Sequence, residues 1–215
     1  MLAELAVAAT LICIDPGHGT LPAVGRQLEP IGPGSATLKI KDGGGAAGEA
    51  AITLAIAQRT ASLLRARGYA VLLTRTAPGF AGGNRERAAI CNRAHAALML
   101  RIHADGSTDS SQVGAATLVP ALQRGWTSDI YARSARAGRL VQSALVRATG
   151  ARDRGVVERP DLTGFNWADV PAVLAETGFV SNPAERARLA SPGYQAEVAQ
   201  GLAAGAAAFV GPPAR

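Results

Sequence analysis

Aromatic residues make up only 4% of the chain, and none of them cluster among basic side chains. That removes the stacking platforms on which single-stranded nucleic acid is bound. Cysteine is nearly absent: Cys13 and Cys91 are too few for a disulfide-built scaffold or a cysteine-ligated zinc cluster. Cys13 lies in a strand-like run and Cys91 in a helical pattern, so both read as buried thiols rather than as one long-range disulfide. No apolar run approaches the length of a membrane-spanning helix, and none is expected. Charged residues are 18% against 48% hydrophobic, a balance that excludes a disordered chain. The stretch Met1 to Thr10 has no basic segment and carries Glu4. Ala6-Val7-Ala8 resembles a cleavage site, but the apolar stretch before it is too short, so no complete signal peptide is expected.

What is present fits one domain. The chain has 215 residues, enough for a sizeable core, here placed at about 11–210. Lys and Arg number 22 against 16 acids, a net charge of +6 that suits an anionic partner. Nucleic acid as that partner rests on charge alone, and an acidic polymer is preferred. Leu11 to Asp15 is an apolar run closed by Pro16-Gly17, a buried strand ending in a turn. Thr20 to Gly48 is rich in Gly and Pro and reads as a long loop, a feature that is often functional. A helical pattern runs from Glu49 to Arg67, with Gly68 as its stop. Tyr69 to Thr74 reads as a second strand. A helix from the N-cap candidate Asn84 to Ala94 follows. Ala97 to His103 and Val113 to Val119 are further strands, Ser128 to Ala148 a helix, Val156-Val157 a short strand and Ala172 to Glu176 another. Pro183 and Pro192 each open a helix, the last ending near Phe209. Strands alternating with helices predict an α/β fold.

Three strand ends carry polar groups: Asp15 and His18 in Asp15-Pro16-Gly17-His18-Gly19, Arg101, His103 and Asp105 in Arg101-Ile102-His103-Ala104-Asp105, and Glu176 before Thr177-Gly178. Ligands of open α/β sheets bind beyond such carboxyl ends. Glu49 joins them at the start of a helix. Two histidines and a carboxylate suffice for a catalytic zinc site, and a further carboxylate can serve as general base. Each residue also has a plainer reading: a solvated turn histidine for His18, a strand-end histidine for His103, a first-turn acid for Glu49, a buried ion pair with Arg101 for Glu176. Two readings of Asp15 stay open, an acceptor behind a ligand histidine or an Asx-type cap of its turn. Arg101 shares a strand face with His103. It either pairs with an acid there or meets a substrate carboxylate. Arg87 reads as an anchor from its helix to a loop. His95, at a helix end, reads as structural or solvated.

The ordered set is more specific than its pieces. Asp15-Pro16-Gly17-His18-Gly19, Glu49, Leu73-Thr74-Arg75, Arg87 with Asn92, Ile102-His103-Ala104 and Pro171 to Asn182 together resemble the zinc-dependent N-acetylmuramoyl-L-alanine amidases of the type 3 family, over about Ile12 to Phe209. The resemblance implies a single catalytic amidase domain over 1–215, with a mixed, mainly parallel six-stranded sheet flanked by helices. It implies one zinc ion (Zn2+) held by His18, Glu49 and His103, with Glu176 as the catalytic carboxylate. It implies cell-wall hydrolysis of the kind autolysins perform, with peptidoglycan or muropeptides as the partner, an extracytoplasmic location and a monomer. The family often has Ser before Ile-His and Asn after His-Ala. Arg101 and Asp105 stand there and are candidate substrate contacts. The rival readings are a zinc carboxypeptidase-like hydrolase of the stem peptide and a non-catalytic wall-binding module. Some family members insert a plugging helix between the second histidine and the glutamate. Here Arg159 to Asp169 is too short to supply one.

Overall fold

The computed structural model describes residues 10–213. The expectation about a signal segment falls on residues 1–9, which lie outside the described ones. The central sheet is built from β1 (Leu11–Pro16), β4 (Ala70–Leu73), β5 (Leu98–Asp105), β6 (Ala115–Pro120), β7 (Asp153–Arg159) and β8 (Ala172–Phe179). A separate two-stranded hairpin pairs β2 (Leu28–Pro30) with β3 (Leu38–Ile40). The six strands of the central sheet lie in the order β4-β1-β5-β8-β6-β7. Every pairing in it is parallel except β6 with β8. This is the mixed, mainly parallel α/β sheet that the resemblance implies.

Alternation along the strands sorts their side chains onto two layers. Ile12, Ile14, Leu98, Leu100, Ile102, Val173 and Ala175 face a core shared with helices α2 (Glu49–Ala66), α4 (Tyr131–Thr149) and α7 (Pro192–Val210). Cys13, Met99, Leu118, Ala172 and Leu174 face a smaller core with Cys91, Phe165 and Ala168, under α3 (Asn84–Arg93) and the single turn α5 (Thr163–Asn166). The helix α6 (Pro183–Ala190) follows β8 and is capped by Asn182, whose side chain accepts from the Ala184 and Glu185 amides.

Three expectations need correction. Cys13 and Cys91 are not free thiols: they form a disulfide between β1 and α3, with Cα atoms 5.6 Å apart. Their sequence separation of 78 hides the contact, which exists because the alternate face of β1 meets the inner face of α3. Thr20 to Gly48 is not a plain loop. It holds a short helix α1 (Pro22–Gly25) and the β2–β3 hairpin. The hairpin is held from outside, by Trp167 Nε1 donating to Pro30 O and Trp126 Nε1 donating to Pro33 O, each at 2.9 Å. Asn84 is not an N-cap but the first residue of α3. Glu29 of β2 accepts from the Asn84 and Arg85 amides at 3.1 Å, so a remote carboxylate satisfies the helix start.

Candidate metal centre and active site

Parallel β1, β5 and β8 all end at one edge of the sheet, which brings their polar termini together. Register places Asp15 beside Arg101, and His103 beside Glu176. Asp15, Arg101, His103 and Glu176 stand on the layer of α3, at even spacing from Cys13, Met99 and Leu174. Glu49 arrives from the other layer, at the first residue of α2.

His18, Glu49 and His103 each offer a ligand atom, and these atoms lie within 4.8 Å of one another. Glu49 Oε1 is 3.1 Å from His18 Nε2 and 3.3 Å from His103 Nδ1. Backbone amides hold the carboxylate in place: Ala104 N donates to Oε1 and Ala46 N to Oε2. Gly17 is required beneath His103, because a Cβ there would lie 2.5 Å from the imidazole ring. His103 Nε2 and Glu176 Oε2 are buried without a hydrogen-bond partner among the described residues. Buried polar atoms are ordinarily satisfied. Two imidazoles converging on one carboxylate, with an unpaired ring nitrogen, are a donor set that fits zinc.

Charge follows this crowding. Burial works against a charged His18, but its hydrogen bonds to Asp42 and Glu49 prevail and its pKa is pushed up to about 9. Burial likewise opposes the charged form of Glu49, yet the two histidines hold its carboxyl well below the usual range. His103 is pushed down, chiefly by burial. Glu176 is raised well above the ordinary carboxylate value by burial first, then by Asp105 and Glu49.

Sequence reasoning did not single out Asp42. It accepts from His18 Nδ1 at 2.7 Å and turns Nε2 toward Glu49. Its only sequence signal is an acid beside the Gly43-Gly44-Gly45 run, too common a feature to select it. Asp15 does neither thing expected of it. It is fully buried, and its carboxylate accepts from Arg87 and Arg101, each at 2.8 Å, and from Thr74 Oγ1. Arg101 therefore pairs with an acid, and a second nitrogen donates to Asn84 Oδ1. Arg87 anchors α3 to the His18 turn through Pro16 O and His18 O. Arg75 donates to Pro16 O and Gly17 O. These guanidinium groups grip a turn in which His18 has φ of 58°, a conformation uncommon outside glycine. His95 lies away from the site, just past the end of α3, with φ of 48°.

Two clefts open onto the centre, and both are lined by His18, His103 and Glu176. One has a volume of about 570 Å³ and includes Asp105; the other, of about 220 Å³, includes Arg101.

The family model described as N-acetylmuramoyl-L-alanine amidase matches residues 12–208. The chain is 30% identical over 215 residues to an N-acetylmuramoyl-L-alanine amidase of Mycobacterium tuberculosis, covering 95% of this chain and 88% of that protein. It is 29% identical over 203 residues to the N-acetylmuramoyl-L-alanine amidase LytC of Bacillus subtilis, covering 94% of this chain but only 36% of LytC. The crystal structure of the N-acetylmuramyl-L-alanine amidase of Mycobacterium abscessus, in its apo form, superposes with a TM-score of 0.84 at 25% identity. That alignment covers 95% of this chain and all, 100%, of the other.

Proposed function

The chain belongs to the N-acetylmuramoyl-L-alanine amidase family, and we propose that it hydrolyses the amide joining the lactyl group of N-acetylmuramic acid to L-alanine of the peptidoglycan stem. The observation that carries this reading is the convergence of His18, Glu49 and His103 beside a buried, unpartnered Glu176 oxygen. His18, Glu49 and His103 would hold one zinc ion, which when bound supplies Lewis-acid polarisation of the amide carbonyl.

The chain's own groups account for the rest. Glu176 Oε2 takes a proton from the attacking water and returns it to the leaving nitrogen of L-alanine. Its buried setting favours the protonated form needed for the second transfer. Asp42 keeps His18 in one orientation, and the Arg75 and Arg87 contacts keep its turn in one shape. All four functional residues are present, which disfavours a non-catalytic wall-binding module.

A cell-wall substrate fits an extracytoplasmic protein, and the Cys13–Cys91 disulfide supports an oxidising compartment. No helix among the described residues is long and apolar enough to cross a membrane. The protein acts as a single catalytic domain and a monomer in this proposal. Digestion of purified peptidoglycan by the zinc-loaded chain tests it. Release of the whole stem peptide from the sugar is expected. Release of single terminal residues instead would favour the carboxypeptidase-like reading, and full activity after removal of all transition metal would overturn the zinc assignment.

A further inference from the structure

The two clefts that meet at Glu176 differ in which of them offers an arginine without a carboxylate partner among the described residues, and that difference gives the substrate a direction. Four arginines line them: Arg186 in the larger, and Arg87, Arg101 and Arg159 in the smaller. The three in the smaller cleft are already paired. Arg87 and Arg101 share Asp15, and Arg159 binds both oxygens of Asp161 at 2.8 and 2.9 Å. Arg186 is exposed and has no carboxylate partner among the described residues. Its side chain makes a hydrogen bond from Nε to Val180 O at 2.6 Å, which steadies the guanidinium without neutralising it.

The larger cleft carries Asp105, Ser107, Thr108 and Ser181, groups suited to a peptide backbone and to charges of both signs. The smaller one presents Ile40, Leu118, Leu162 and Leu174 beside the polar Asp42 and Asn84, and those apolar side chains suit the methyl groups of an N-acetyl and a lactyl substituent. We propose that the peptide stem lies in the larger cleft with a stem carboxylate on Arg186, and that the muramoyl group enters the smaller one. This rests on the amidase reading above. Arg–carboxylate pairing is geometrically specific, so Arg186 becomes a determinant of substrate choice rather than of the chemical step.

The test compares two soluble substrates of the zinc-loaded full chain: an N-acetylmuramoyl tripeptide with free carboxylates and the same compound with every carboxylate amidated. For Arg186→Ala, KM for the free acid should rise about three- to tenfold, as expected for an exposed charged contact, with kcat little changed. The amidated substrate should respond to the substitution by less than about twofold, since it has no charge to lose. Arg186→Lys should recover part of the affinity for the free acid. An equal rise in KM for both substrates, or no rise for the free acid, would overturn the assignment, the first because it would show disturbance of the Val180 contact alone. A parent chain that cleaves neither substrate would instead refute the amidase reading, so the two failures are distinct.

Discussion

At the scale of single residues, the proposed mechanism separates groups that would touch the reaction from groups that hold them. Glu176→Gln should retain zinc and lose roughly 10²–10⁴-fold in turnover, because an amide cannot take and return a proton. Metal content measured beside kcat checks this, and loss of zinc in the variant would make Glu176 a ligand. Asp42→Ala should weaken zinc binding by about 10–100-fold, read by chelator competition without substrate, since His18 loses the acceptor that orients it. Asp15 belongs to the scaffold. Burial alone would raise its pKa, but Arg87, Arg101 and Thr74 hold the carboxyl well below the usual range. Its ionised form therefore stabilises the fold above the unfolded value of about 3.9, and that contribution is lost as pH falls through the lower folded value. Asp15→Asn leaves two buried guanidinium groups short of a counter-charge and should cost about 3–5 kcal/mol near neutral pH. The gap to the parent in urea unfolding should shrink progressively below about pH 4. A gap that stayed constant into acid would contradict this account.

At the scale of elements, the disulfide and the hairpin supply constraints that neither strands nor helices supply alone. Cys13 to Cys91 ties β1, which ends at the His18 turn, to α3, which sends Arg87 back to the same turn. The link closes a loop spanning 78 residues, for which a stabilisation of about 2–4 kcal/mol is typical. Reduction, or the pair Cys13→Ala and Cys91→Ala, should lower Tm by roughly 4–16 °C in a chain of this size. Melting unaffected by reductant would show that the bridge contributes nothing. The β2–β3 hairpin gives up Glu29 to the start of α3, and the segment after it supplies Asp42 to His18 and Ala46 to Glu49 in the proposed metal centre. A segment rich in Gly and Pro is thus a structural wall of the site.

At the scale of the molecule, the site is open on two sides, and the segment between β7 and β8 holds only the four-residue turn α5. The zinc-loaded chain should therefore cleave soluble muropeptides with no added activator. Shortening the hairpin tip between Ile31 and Thr37 should change KM rather than switch activity on. An inactive full chain that became active on that truncation would show the hairpin to be an inhibitory cover.

The order of strands and helices was legible in the sequence, whereas the mixed sheet and the grouping of His18, Glu49, His103 and Glu176 were expected from the ordered set of motifs that resembles the family. The element order depends on local patterns: apolar runs closed by Pro and Gly, helical spacing after Glu49, polar residues at strand ends. Such patterns report on a few neighbouring residues at a time. What only the tertiary structure decided were pairings across long separations. The disulfide joins residues 13 and 91; Asp15 takes Arg87 and Arg101; His18 takes Asp42; and α3 begins on Glu29. None leaves a periodic trace, because a partner is chosen by which side chains the packed sheet and helices bring within hydrogen-bond reach. Residue types at the strand ends suggested a metal site, the resemblance singled out its members, and the groups that hold those residues in place emerged only when the chain was folded.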